Sequence, residues 1–287
     1  MARKTAAQKR EGRRNALFVL PMACIAALLV ALPLIYVLVT SLAVGGEGSG
    51  FTLAHYKALL RADYLKVFAN SLKLALDTTL VYLAVGYPFA YCMARAPRRW
   101  RALLMMLVII PFWTSALVRI YGWKILLQAN GPVNAVLRAL GLIESNIKFL
   151  GSYGSVLLAM VYCLISLMIL PCHSAVDKMD FTLVEAARDL GARPWRAFVT
   201  VTLPQTMPGI LAGCVLVFVP SMGLFFISDL LGGAKTLLLG NLIKNELMQA
   251  RNWPMGATLS IAMLLFTFAF IGIYKRVTGE KTLGGLK

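Results

Sequence analysis

The sequence predicts an all-α, polytopic membrane protein with six transmembrane helices. Three observations lead there. Of the 287 residues, 59% are hydrophobic and only 14% charged, and the mean hydropathy is +0.75, far outside the range of soluble globular domains. The apolar residues gather into six runs long enough to cross a bilayer, which takes about 20 residues each. The Lys and Arg residues cluster at the ends of those runs, as topology signals do. That placement excludes nucleic acid as the reason for the +17 charge, because a nucleic-acid face would be a basic patch on a folded surface.

A basic leader over 1–15 carries Arg3, Lys4, Lys9, Arg10, Arg13 and Arg14. The apolar run behind it is longer than the h-region of a cleaved signal peptide, so it spans. Span one covers 16–44. A Gly-Gly-Glu-Gly-Ser-Gly connection over 45–50 follows, and 54–60 reads as a short surface helix. Span two covers 71–93 and ends at Arg95, Arg98, Arg99 and Arg101. Span three covers 102–123, span four 153–172, span five 207–227 and span six 256–274, with a tail over 276–287. The membrane domain is therefore 16–275. With the N-terminus inside, eighteen Lys and Arg face the cytoplasm and nine face the other side, which puts both termini in the cytoplasm. The five cysteines lie in or beside apolar runs without metal or redox spacing, and read as buried small residues.

One polar stretch in the second half, within a cytoplasmic loop over 173–206, is ordered like a folded element. Thr182 with Glu185 three residues later predicts a capping box. Leu183, Ala186, Ala187 and Leu190 then follow the spacing of one helical stripe. Gly191 stands where a left-handed C-terminal cap belongs, and Pro194 opens a second helix. A helix of about eight residues cannot hold itself together in water, so it must dock on a partner. Alanines on its face let that partner approach closely.

What the chain lacks bears on the same point. Gly232-Gly233-Ala234-Lys235-Thr236 only faintly resembles a phosphate loop, with an alanine between glycine and lysine, and it falls on the outer side. Asp77 and Asp229 are the only acids inside or at the edges of spans, so no relay of buried carboxylates is visible. His55 and His173 have no partner at ligand spacing. A six-span protein with a structured cytoplasmic helix and no engine of its own implies an engine on another chain.

Glu185-Ala186-Ala187, Gly191, Val201 and Leu203-Pro204, at their spacing, resemble the EAA loop of membrane subunits of ATP-binding-cassette importers. Pro111-Phe112-Trp113, Arg119-Ile120-Tyr121-Gly122, the run from Gly223 to Lys235 and Asn252-Trp253-Pro254 are similar to the spermidine/putrescine permeases, of the PotB type. The similarity covers nearly all of the chain from span two onward and leaves out the leader. It implies a type I ABC importer permease fold in the bacterial inner membrane. It also implies that Glu185, Ala186, Ala187, Asp189, Gly191, Leu203 and Pro204 couple the chain to an ATPase. The implied partners are an ATP-binding ATPase dimer, a second homologous permease subunit and a periplasmic polyamine-binding protein, besides membrane lipid and without nucleic acid. The chain would not be an enzyme and would hold no cofactor itself, ATP and Mg belonging to the partner ATPase.

A substrate path is sought where spans are broken, which is where transporters build sites. Pro111 breaks span three, and Pro208 and Pro220 bracket most of span five. A polyamine is a string of ammonium groups whose lost hydration must be offset by carboxylates and aromatic faces, each cation–π contact being worth roughly 0.5–2 kcal/mol. Asp229 with Phe225 and Phe226, and Trp113 and Tyr121 on span three, supply such groups. For Asp229 a plain loop carboxylate is an equal alternative. Trp123 and Trp253 read as interface anchors. Asp77 and Lys73, four apart on one helix, are expected to neutralise each other. Arg119 is expected to snorkel or to meet an acid of another chain. An importer for another solute, a stand-alone channel or an ion-coupled carrier are the competing functions. A membrane enzyme is disfavoured by the scarcity of acids and histidines.

Overall fold

The structure, a computed structural model, describes residues 6–44, 50–233 and 236–278. The start of the leader, residues 45–49, residues 234–235 of the Gly-rich motif and the tail from 279 lie outside the described residues. The described elements are α1 (Ala6–Leu42), α2 (Ala54–Ala58), α3 (Ala62–Arg95), α4 (Arg98–Trp113), α5 (Ala116–Leu126), α6 (Pro132–Ala139), α7 (Tyr153–Asp177), α8 (Thr182–Asp189), α9 (Pro194–Ala197), α10 (Leu203–Gly223), α11 (Phe225–Ile227), α12 (Leu239–Lys244) and α13 (Trp253–Thr278). π-helical turns occupy Phe198–Thr202, Ser228–Gly232 and Asn245–Gln249.

Among the described residues four stretches are long and apolar enough to cross a membrane alone: Cys24–Leu42, Tyr153–Asp177, Pro194–Gly223 and Trp253–Arg276. The bent pair α4–α5 makes a fifth. α3 is less apolar, with Lys73 and Asp77 in its length, but at 34 residues it is about 51 Å long and carries span two in its middle. These are the six crossings that the hydropathy pattern predicts.

The break in span three expected at Pro111 is a sharp bend. α4 ends at Trp113, Thr114 and Ser115 take extended backbone, and α5 leaves at 93°. Pro111 has no N–H to give to the helix ladder, which weakens the last turn of α4. Span five is also displaced. It runs without a break from Pro194, through the π turn, to Gly223, and ends where Leu224 leaves helical backbone at φ −75°, ψ 65°. Phe225, Phe226 and Asp229 therefore lie on a separate short helix and π turn outside that span.

α7 is the centre of the bundle, packed between α3 and α10. Tyr82 of α3 is fully buried and donates its hydroxyl to the Met160 carbonyl of α7. Ser166 of α7 donates to the Val108 carbonyl of α4 at 2.8 Å. α10 meets α7 backbone to backbone at Gly209, where a Cβ would stand 2.7 Å from the Pro171 carbonyl oxygen and 2.4 Å from the Ala175 Cβ. Gly213, one turn on, faces Met168 in the same way, so Gly209 and Gly213 form the small-xxx-small face by which membrane helices approach closely. The apolar part of α1 is peripheral and lies along α13.

Candidate functional site

The loop over 173–206 is helix, break and helix, as its residue order predicts. Gly191 adopts φ +86°, the left-handed conformation. Its amide donates to the Arg188 carbonyl at 2.9 Å and the Ala192 amide to the Ala187 carbonyl at 3.1 Å, which together close α8 in a Schellman motif. Pro194 opens α9 in its first turn.

The start of α8 differs from expectation. Thr182 and Glu185 form no capping box. The cap is the Asp180 carboxylate, which accepts from the Thr182 amide at 3.0 Å and the Thr182 hydroxyl at 2.7 Å. Those two bonds hold the Asp180 carboxyl below its ordinary value. A carboxylate two residues earlier is the stronger acceptor and leaves Glu185 free.

α8 buries none of its residues. Leu183 is 47% and Leu190 90% exposed, so the two leucines of the expected apolar stripe stand largely uncovered among the described residues. Ala187, Leu190, Gly191, Ala192 and Arg196 line an open cavity of about 370 Å³ at the break. Glu185 and Asp189 are exposed, Leu203 packs on the core around Met168, and Pro204 lies in the first turn of α10.

On the other side of the bundle the structure assembles a second site. The Asp229 carboxylate accepts from the Lys244 ammonium at 2.5 Å, with each side chain one-third exposed. Its other oxygen accepts from the Asn241 amide, which also donates to the Phe225 carbonyl at 3.1 Å. Asn241 is buried and accepts from the Leu238 amide at 3.1 Å, so it caps α12 while aiming Asp229. Lys244 lies 5.7 Å from the centre of the Phe225 ring. Asp229 sits in one π turn and Lys244 directly precedes another; such turns widen the helix and recur at functional sites.

Of the sequence-derived path residues, Asp229 and Phe225 are brought together here, and Phe226 packs beside them on the core around Val156. Trp113 is 83% exposed at the end of α4 and Tyr121 51% exposed on α5. Neither makes a ring, ion-pair or side-chain hydrogen-bond contact with the Asp229 cluster among the described residues. Lys244 and Asn241 escaped the sequence reading. Their one signal is the three-residue spacing that puts an amide and an ammonium on one helical face.

The expected Lys73–Asp77 pair is not formed. Asp77 accepts from the Tyr153 hydroxyl at 2.5 Å, and the Lys73 ammonium stands 5.8 Å over the Tyr153 ring. Tyr153 lies between them and satisfies each with a different part of one side chain. Arg119 donates to the Cys163 carbonyl at 3.4 Å and lies 5.8 Å over the Tyr162 ring, which keeps it inside the chain.

Residues 86–279 match the family described as binding-protein-dependent transport system inner membrane component. The chain is 45% identical over 228 residues to the spermidine/putrescine transport system permease protein PotB of Escherichia coli strain K12, covering 79% of this chain and 83% of that one. It is 44% identical over 235 residues to the PotB protein of Haemophilus influenzae, covering 80% and 82%. A solved bacterial alginate ABC transporter, in complex with an alginate pentasaccharide-bound periplasmic protein, contains a chain that superposes with a TM-score of 0.75 at 17% identity, over 96% of this chain and 97% of that one.

Proposed function

The chain belongs to the binding-protein-dependent transport system inner membrane components, the multi-pass permeases of ABC importers, and on that premise we propose that it carries polyamines, spermidine or putrescine, across the inner membrane. The observation that supports the cargo is the Asp229 cluster. A carboxylate, itself held by the Asn241 amide, and an aromatic face meet one alkylammonium group, that of Lys244. The primary ammonium of a polyamine has the same chemistry and fits the same partners.

Exchange of one ammonium for the other is nearly isoenergetic. The Lys244–Asp229 pair is one-third exposed, and such pairs contribute about 1 kcal/mol or less. A polyamine carries further ammonium groups, and once the first is held the others act at high effective concentration. In this reading Lys244 occupies the cation position of the empty carrier and yields it to cargo. Phe225 and Phe226, with Trp113 and Tyr121 further along the broken span, line the path.

The α8 loop, through Glu185, Ala186, Ala187, Asp189, Gly191, Leu203 and Pro204, receives an ATPase dimer that holds ATP and Mg. A second homologous permease completes the path, and a periplasmic polyamine-binding protein delivers cargo. Both termini are cytoplasmic. The test is purification of the chain from native membranes with its retained partners, followed by ATP hydrolysis with and without spermidine. Retention of an ATPase and a second permease, with hydrolysis stimulated by spermidine, is the expected result. Transport by the isolated chain, or stimulation by an anionic solute alone, would overturn it.

A further inference from the structure

α8 buries no residue of its own, so whatever force an ATPase applies to it must leave through its two ends. Both ends rest on α3. Before α8, the Phe181 ring lies 5.6 Å from the Arg95 guanidinium, which is also 5.8 Å from the Tyr91 ring. After α9, the Phe198 ring meets Tyr87 and Tyr91 edge to face at 6.1 Å and 6.2 Å and is stacked on Trp195 at 5.8 Å. Tyr87, Tyr91 and Arg95 follow each other at four-residue intervals and form one stripe on the last two turns of α3. Tyr87 is tied further to α10 by a 2.9 Å hydrogen bond with the Thr206 hydroxyl.

The other end of the same helix holds the Lys244 element. The Ser71 hydroxyl accepts from the Leu239 amide at 2.7 Å, in the first turn of α12. Leu239 is buried beside Phe68 and Tyr64 of α3, and Tyr64 donates to Glu246 at 3.3 Å, two residues beyond Lys244. From Ser71 to Tyr91 the helix is about 30 Å long, and its internal Pro88 falls within that length, three residues before Tyr91.

We infer that α3 is the rod that carries the stroke of the ATPase from α8 to the Asp229–Lys244 pair, with Tyr91 and Ser71 as its positioning residues at the two ends. The direct route through α10 ends at Gly223, where the backbone leaves the helix before Asp229. The α3 route has contacts at both ends and one continuous helix between, with Pro88 near the stripe end. It connects to a pair that is closed in this structure and that the proposed function opens with cargo, the two arrangements that transmission between sites requires. This inference rests on the coupling role assigned to α8.

The experiment uses the complete assembly in proteoliposomes and measures spermidine imported per ATP hydrolysed. Tyr91→Ala and Ser71→Ala are expected to lower that ratio at least fivefold while hydrolysis stays within twofold of the parent. Tyr91→Phe keeps the ring, giving up only a 3.3 Å bond from Arg95, and is expected to restore the ratio. Leu80→Ala, at a 62% exposed position of the same helix, is expected to leave it unchanged. Parental ratios in both end variants would overturn the inference. A nitroxide at Met248, 76% exposed and four residues past Lys244, supplies a readout that needs no cargo. Its spectrum should change when a non-hydrolysable ATP analogue binds the parent assembly, and should not change in Tyr91→Ala. An equal change in both would overturn the rod, whereas absence of spermidine import by the parent would overturn the cargo and leave this measurement to decide the rod.

Discussion

Lys244 Nζ lies 2.5 Å from Asp229 Oδ2, an ion pair between two short elements that follow span five in the chain. Asp229→Asn keeps the shape and the Asn241 contact but removes the charge. Loss of about 1 kcal/mol of ammonium binding raises the spermidine concentration for half-maximal uptake roughly fivefold. ATPase association should be unchanged, and uptake kinetics equal to the parent would remove Asp229 from the path.

Lys244→Gln removes the competing ammonium and leaves an amide that still reaches Asp229. The expected outcome is a lower half-saturating spermidine concentration together with raised hydrolysis in the absence of cargo. A weaker apparent affinity would mean that Lys244 helps to hold cargo rather than giving way to it.

Gly191→Leu forces a side chain into the left-handed region at φ +86°, at a cost of roughly 1–2 kcal/mol. The space around the glycine is open, so the effect is on backbone geometry and not on packing. Membrane insertion should be normal, with uptake or ATPase retention reduced. Parental uptake would count against α8 as the docking element.

Gly209→Leu places a side chain where the Pro171 carbonyl and Ala175 already stand. Overpacking of this kind costs typically 1–3 kcal/mol, so the assembly in detergent should unfold at a lower temperature. Gly272→Leu, on α13 with nothing near its Cβ, is the control and should unfold with the parent.

The Asp180 cap carries a pH dependence. Its carboxyl is held below the ordinary 3.8 by Thr182, so the folded form favours the ionised state. The stabilisation is complete above the ordinary value and is lost as pH falls through the lowered one. Amide exchange in the first turn of α8 should accelerate in that acidic window and should already be fast at neutral pH in Asp180→Ala. Slow exchange in the variant would show that another group caps the helix.

Much of this was legible in the sequence because it rests on local rules. The crossings follow from apolar run length, and the close of α8 from the geometry that only Gly191 adopts without strain. Where two local rules competed, the reading erred. Asp180 and Thr182 can both cap a helix start, and the carboxylate wins because it accepts both the amide and the hydroxyl. Asp77 had a lysine at helical spacing, yet a tyrosine from α7, 76 residues away, takes the bond. Lys244 and the Tyr87–Tyr91–Arg95 stripe were illegible for the same reason. Their partners are distant in sequence, and nothing in their own segments marks them. The bend after Pro111 was half visible, since the proline shows where a helix weakens but not that the chain turns through 93°.

That bend changes the electrical profile of the membrane around the path. The upright leg, α4, has 16 residues and reaches about 24 Å, against a hydrocarbon slab of about 30 Å. With α4 set along the bilayer normal, α5, leaving at 93°, would add little depth, and roughly the last 6 Å of slab would have no span three beside it. Water and lipid headgroups can dip there, and the low-dielectric layer thins on that flank alone. A polycation would then surrender its hydration over a shorter distance on one face of the bilayer than on the other. Bilayers of longer acyl chains should restore the missing layer and slow uptake without touching any residue.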